Sequence, residues 1–224
     1  MTDIKFLILF LLFLCVLNYF TNRKNKKLQD SKQDYLDKKG KEGEDDILST
    51  LGKYKHGGYI YQNVFIPIDS NKYTEIDILL VNRYGIFVIE SKNWKGKVYG
   101  EKSSKKWILD SKYDEYEMDN PYIQNEYHLK RLKEYLKLKN CKYYSIVVFG
   151  YDTDLYFEED EKPSSVIGIR DIDNYMEEVN TSKDILTNND ISYINQKIES
   201  CINKDNDFKE KHIERIKDIK KRTV

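Results

Sequence analysis

Apolar residues along this chain fall into runs of different period, and each period predicts a different element. Residues 4–20 are apolar almost throughout, without interruption over 6–17. That length sits near the short end of the roughly 17–25 residues a membrane-spanning helix needs, with Tyr19 and Phe20 placed as interfacial aromatics. Residues 38–51 read as a helix whose apolar stripe is Ile47, Leu48 and Leu51, with acidic residues in its first turns. HGGYIYQNVFIP (56–67) then predicts a turn and a strand ended by Pro67. TEIDILLVN (74–82) and GIFVIESKNW (85–94) are apolar strands joined through Asn82-Arg83-Tyr84-Gly85, a hairpin signal. KVYGEKSSKKWILD (97–110) reads as strand, turn and strand.

From Asn120 a helix is expected, with Pro121 at its start. Its buried side is predicted to be Ile123, Tyr127, Leu129, Leu132, Tyr135, Leu136 and Leu138. YYSIVVFGY (143–151) is continuously apolar, the mark of a strand covered on both faces. DTDLYFEEDEK (152–162) reads as an acidic loop, SSVIGIR (164–170) as a short strand, and most of the remainder as polar helix. Helix, three or more strands, helix, strand is the order of an α/β fold with one mixed central sheet flanked by helices.

Charge fixes an orientation for the N-terminal helix. Arg23, Lys24, Lys26 and Lys27 follow it, against Lys5 before it, so the bulk of the chain is expected on the cytoplasmic side of a membrane it crosses once. A cleaved signal peptide is the rival reading, but no small-x-small cleavage site appears, and Val16 and Leu17 carry the apolar run past the LFLC at 12–15. The expected organisation is an anchor at 4–20, a polar linker at 21–37, a main domain at 38–155, and a strand and helical extension at 156–224. Overall charge is balanced, 38 basic against 38 acidic residues, so no partner follows from net charge. Three cysteines without Cys-x-x-Cys spacing and three isolated histidines argue against a disulfide framework, a zinc cluster or a Ser-His-Asp centre. GKEGEDD lacks the Gly-Lys-Ser/Thr ending of a phosphate loop.

Three charges interrupt the apolar hairpin: Asp77, Glu90 and Lys92. If Arg83-Tyr84 form a two-residue loop, Asn82 pairs with Gly85 and Asp77 lies across from Glu90. Both then share a face with Lys92. Two opposed carboxylates repel unless a positive charge lies between them, and a divalent cation meets that need. A bulge at Gly85 would instead send the two acids to opposite faces. An edge hairpin with a solvated charged face is the plainer alternative; the flanking ILLV and GIFVI runs favour burial and hence a site.

GKEGE (40–44), EIDILLVNRYGIFVIESKN (75–93) and NPYIQNEYHL (120–129), in this order, make residues 40–149 resemble the nuclease-related domain (NERD), a branch of the PD-(D/E)xK nuclease superfamily. The resemblance implies a restriction-endonuclease-like core for the domain at 38–155. It implies that Asp77 and Glu90, with the Ser91 carbonyl, hold Mg2+ or Mn2+, that Lys92 is the catalytic lysine, that Glu44 faces the site from the first helix, and that Gln124 approaches it from the later one. It further implies hydrolysis of phosphodiester bonds, with DNA as substrate; the anchor expected at 4–20 would make the enzyme membrane-bound. Lys95, Lys97, Lys102, Lys105 and Lys106 read either as phosphate contacts or as a solvated basic face. His128 reads as a surface or satisfied histidine rather than a site member, and Trp94 and Trp107 as core residues rather than base-stacking platforms. The rival function is a nuclease-fold module that cuts poorly and binds nucleic acid or a protein partner at the membrane. A homo-oligomer stays open, as does a partner or membrane contact through Ile213, Ile216 and Ile219.

Overall fold

The structure, a computed structural model, describes residues 38–69, 72–157, 164–180 and 185–202, with residues 18, 19, 21–24, 26, 34 and 35. The anchor expected at 4–20 lies outside the described residues except for Asn18 and Tyr19, as does the isoleucine stripe at 213–219. Among the described residues no helix is long and apolar enough to cross a membrane. The chain divides into two units, Met1–Glu42 and Gly43–Val224. The described residues of the first are helical.

Helix α1 covers residues 38–51, of which 43–51 belong to the second unit. The strands β1 (Tyr59–Asp69), β2 (Lys72–Asn82) and β3 (Gly85–Lys92) follow, then β4 (Gly96–Tyr99), β5 (Lys106–Asp110) and β6 (Glu115–Asp119). Helix α2 (Pro121–Leu136), β7 (Tyr143–Phe149), β8 (Thr153–Tyr156), β9 (Ser164–Gly168), α3 (Ile172–Asn180) and α4 (Asn188–Ile202) complete the unit.

The main sheet has five strands in the order β1-β2-β3-β7-β9. β1, β2 and β3 are antiparallel neighbours, while β3-β7 and β7-β9 run parallel, so the expected mixed sheet is present. Pro67 does not end β1; it pairs with Tyr73 inside the ladder. β1 is an edge strand, where a missing N–H can face away from the sheet.

Both faces of this sheet are covered. Val64, Ile66, Leu79, Val81, Ile86 and Val88 pack with Leu129, Leu132 and Leu136 of α2 and Ile191, Ile194 and Ile198 of α4. Ile78, Leu80, Phe87, Ile89, Tyr144, Ile146 and Val148 pack with Ile47 and Leu51 of α1 and Ile172, Met176 and Val179 of α3. Double coverage is why β2, β3 and β7 read as unbroken apolar runs.

A second sheet, β6-β5-β4-β8, was not expected. The sequence around it alternates weakly because one face is polar: Val98 and Trp107 point inward to Val147, Phe149 and Val166, with Leu109 and Leu155 packed against them. The acidic loop expected at 152–162 therefore begins as β8, whose Leu155 pairs with Val98. β6 likewise lays its acids beside β5, with Met118 paired to Trp107. Gly96, at φ +130°, sets the new direction: a Cβ there would lie 2.3 Å from the Asp110 carbonyl oxygen. Only glycine lets β4 approach β5 so closely.

Candidate active site

The hairpin pairs Asn82 with Gly85, Val81 with Ile86, Leu80 with Phe87, Leu79 with Val88 and Ile78 with Ile89. Its loop is the two residues Arg83-Tyr84, without a bulge at Gly85. Counting one step further sets Asp77 across from Glu90, on the face that carries Val88 and α2. The ladder stops there. The Ser91 N–H donates to Asp77 Oδ2 at 2.9 Å instead of to a β2 carbonyl, while Glu90, Ser91 and Lys92 stay paired with Val147, Val148 and Phe149 of β7. β2 thus peels away from β3 at Asp77, and the carboxylate fills the opening.

The neighbouring strand shows how β2 is turned. Gln62 pairs with Ile78 and Val64 with Ile76, so Asn63 lies opposite Asp77. Asn63 has φ +50°, a left-handed conformation asparagine tolerates better than most residues. Tyr61 and Val64 consequently face the same core, as do Ile76 and Leu79, where a regular strand would put members of each pair on opposite sides.

Helix α2 supplies the other half of the site. Asn120 caps it, its side chain accepting from the Tyr122 and Ile123 N–H groups, with Pro121 at the first helical position. The same side chain donates to the carbonyls of Glu101, Lys102 and Ser104, which fixes the helix start to the small sheet's first turn. From that start Gln124 and His128, one turn apart, face β3. Gln124 Nε2 donates to Glu90 Oε1 at 2.7 Å, and Lys92 Nζ donates to the same oxygen. Lys92 Nζ also lies 3.4 Å from Gln124 Oε1. His128 Nε2 stands 3.5 Å from Glu90 Oε2, and its Nδ1 is 2.6 Å from Thr74 Oγ1 on β2.

Glu90 is 2% exposed, so these donors decide its charge. Burial pushes its pKa up, but Lys92 and His128 outweigh that and hold it below the usual carboxylate range. Asp77 goes the other way. Burial and the negative charge of Glu90 raise it well above the ordinary value, against the pull of Lys92 and the Ser91 N–H. Glu44 on α1 adds to the rise, which brings it within electrostatic reach of Asp77. Lys92 is held charged: burial lowers its pKa, and Glu90 and Asp77 more than restore it. The two acids are therefore biased in opposite directions, Glu90 toward its charged form and Asp77 toward its protonated one.

Glu44 reaches this region because α1 passes the end of β3 at Gly43. A Cβ on Gly43 would come 2.9 Å from Asn93 Cβ, and one on Gly150 2.5 Å from Asn93 Oδ1. The absent side chains at Gly43 and Gly150 thus make room for Asn93, one residue past Lys92.

The lysines proposed for phosphate are spread over the small sheet and its approaches. Lys95 is exposed, 3.9 Å from Asp152; Lys97 on β4 lies over the Tyr156 ring; Lys105 precedes β5; Lys106 donates to Asp119 at 2.6 Å. Lys102 lies over the Tyr122 ring. Trp107 is fully buried and donates its indole N–H to the Glu101 carbonyl, and Trp94, half-buried, packs edge-on against Phe149 at the rim of the same cluster.

Two expectations about α2 need correction. Ile123 and Tyr127 are 45% and 41% exposed, not buried. Their places on the buried side are taken by Asn125 and His128, polar residues that apolar periodicity cannot reveal. His128 is not a surface histidine but is buried against Glu90. Asn125 is fully buried, its Nδ2 donating to the Val88 carbonyl at 2.9 Å, Ser145 Oγ at 2.9 Å and the Ile146 carbonyl at 3.2 Å. The available signal was the i, i+4 spacing of Gln124 and His128, which sets both on one helix face.

Among the described residues, no group of three or more His, Cys, Asp or Glu side chains is arranged to hold a metal ion. A site built from two carboxylates still fits magnesium or manganese chemically, since Mg2+ takes one or two carboxylates and keeps waters or phosphate for the rest. Among the described residues Glu90 Oε2 is buried with no hydrogen-bond partner, and the burial and the Glu90 charge that disfavour a bare Asp77 carboxylate are what a bound cation would offset.

The sequence model of the nuclease-related domain family matches residues 39–150. An uncharacterized protein of Bacillus anthracis is 27% identical over 177 residues, covering 78% of this chain and 82% of its own. No solved structure matches significantly.

Proposed function

The chain belongs to the nuclease-related domain family, and on that premise we propose that it is a membrane-anchored, metal-dependent nuclease hydrolysing phosphodiester bonds of DNA. The observation that carries this reading is the convergence of Asp77, Glu90, Lys92 and Gln124 where β2 parts from β3. Asp77, Glu90 and the Ser91 carbonyl would hold Mg2+ or Mn2+. The chemistry such an ion supplies when bound is Lewis acidity toward a phosphate oxygen and a bound water.

The chain's own residues do the rest. Lys92 is a compact, permanently charged donor placed to stabilise negative charge developing on the phosphate. Gln124 holds Glu90 and Lys92 in one arrangement by bonding the former and approaching the latter. Glu44 orients the attacking water from the α1 side. Lys95, Lys97, Lys105 and Lys106 are the candidate phosphate contacts beyond the scissile bond. The apolar run at 4–20 and the basic residues after it would anchor the enzyme with this domain in the cytoplasm.

A second reading, a nuclease-fold module that binds nucleic acid or a protein at the membrane and cuts poorly, draws on the Lys92–Glu90 contact, which already occupies Glu90 Oε1. Incubation of the full-length protein, in mild detergent, with DNA and RNA in Mg2+, Mn2+ or EDTA separates the two. Cleavage that needs the metal and drops on the order of 10²–10³-fold in Lys92→Ala supports the enzyme. Salt-sensitive DNA binding with no cleavage, unchanged in Lys92→Ala, supports the module.

A further inference from the structure

Glu90 has two carboxylate oxygens in different surroundings. Oε1 accepts from Lys92 and Gln124. Oε2 is buried and faces His128 Nε2 at 3.5 Å, and neither atom has a hydrogen-bond partner among the described residues. His128 is itself buried, and its remaining nitrogen, Nδ1, lies 2.6 Å from Thr74 Oγ1.

The neutral ring can meet these neighbours in two ways. With the proton on Nδ1, the ring donates to Thr74 and turns a lone pair toward a buried carboxylate, setting two acceptors against each other. With the proton on Nε2, the Thr74 hydroxyl donates to Nδ1 and the ring donates to Glu90. The second arrangement satisfies both ends, and the cost of leaving buried polar groups unpaired selects it.

We infer that His128 is a positioning residue: Thr74 fixes its Nε2–H form, and that N–H holds Glu90 Oε2 in the orientation the site requires. The link ties β2, α2 and β3 at the point where the hairpin opens, so Asp77 and Glu90, on diverging strands, keep their relation to each other. Partners of this kind orient a ligating side chain without touching the ion. The consequence for metal and cleavage rests on the nuclease reading above; the tautomer itself does not.

Two measurements on full-length protein test the link. In metal-free, ¹⁵N-histidine-labelled protein, with His128 assigned by its loss in His128→Gln, the NMR shifts should place the proton on Nε2 and none on Nδ1. In Mn2+ titrations, His128→Gln, whose amide can still donate to Glu90, should bind within about threefold of the parent. His128→Asn, whose shorter amide reaches Thr74 but not Glu90, should bind about 10–100-fold more weakly. Thr74→Val should weaken binding in the parent and add nothing in His128→Gln, because no imidazole is left to orient.

A proton on Nδ1, in the neutral or the charged ring, overturns the inference. So does a His128→Asn that binds as well as His128→Gln, or a Thr74→Val effect of equal size in both backgrounds. If the parent binds no Mn2+, the metal reading fails, and the NMR result still decides the role of His128.

Discussion

Replacing Asn125 by leucine is the most direct perturbation of the framework that brings α2 to the site. Asn125 is fully buried, and its amide nitrogen donates to Val88 and Ile146 carbonyls and to Ser145 Oγ, on strands β3 and β7. An amide has two hydrogens, so about two full bonds are lost. Leucine matches its volume closely enough to leave no cavity but satisfies no acceptor. At roughly 2 kcal/mol for each buried acceptor stripped of its donor, the loss is about 4 kcal/mol. Among the described residues Asn125 Oδ1 has no partner, and removing that orphan returns about 1–2 kcal/mol. The net destabilisation should therefore be about 2–3 kcal/mol.

Denaturant unfolding followed by fluorescence of Trp94 and Trp107, both packed on Phe149, measures it. A lower midpoint at unchanged slope is the expected result. The same variant should weaken Mn2+ binding beyond what its stability explains, because Gln124 and His128 ride on the helix Asn125 anchors. A stability within about 0.5 kcal/mol of the parent would refute the reasoning, since it would mean the amide bonds offset nothing that water or relaxation could not supply.

Asp77→Asn should stabilise the metal-free protein at neutral pH while abolishing metal-dependent cleavage. The raised pKa of Asp77 means that the folded chain keeps a proton which the unfolded chain releases, so stability falls as pH rises from the ordinary carboxylate range to the elevated value. Denaturation midpoints across pH should show that decline in the parent and lose it in Asp77→Asn; a parent curve without it refutes the assignment. Gly58→Ala should destabilise by more than about 2 kcal/mol, because its Cβ would sit 1.8 Å from the Val81 carbonyl oxygen, a backbone atom that has little room to move. A thermal midpoint equal to the parent's would contradict that packing.

Much of the site was legible because local pattern carries it. The apolar runs of β2 and β3 fixed their type, while the choice between a two-residue loop and a bulge at Gly85 stayed open until the structure paired Asn82 with Gly85. Asn120-Pro121 announced the start of α2, and with it the phase that brings Gln124 to Glu90. These are short-range signals: turn chemistry, capping and side-chain alternation act within a few residues.

What the sequence by itself determined, then, was the hairpin, its charged residues and the helix that meets them. Tertiary structure alone decided the rest. The second sheet depends on β8 finding β4 and on Gly96 allowing β4 against β5. The parting of β2 from β3 at Asp77 coincides with the left-handed Asn63 on the adjacent strand. His128 meets Thr74 across 54 positions of sequence, and Asn125 meets Val88 across 37. A buried polar residue looks like an exposed one in any periodic pattern. Only its partners, brought from distant strands by packing, distinguish a histidine facing solvent from one that holds a carboxylate.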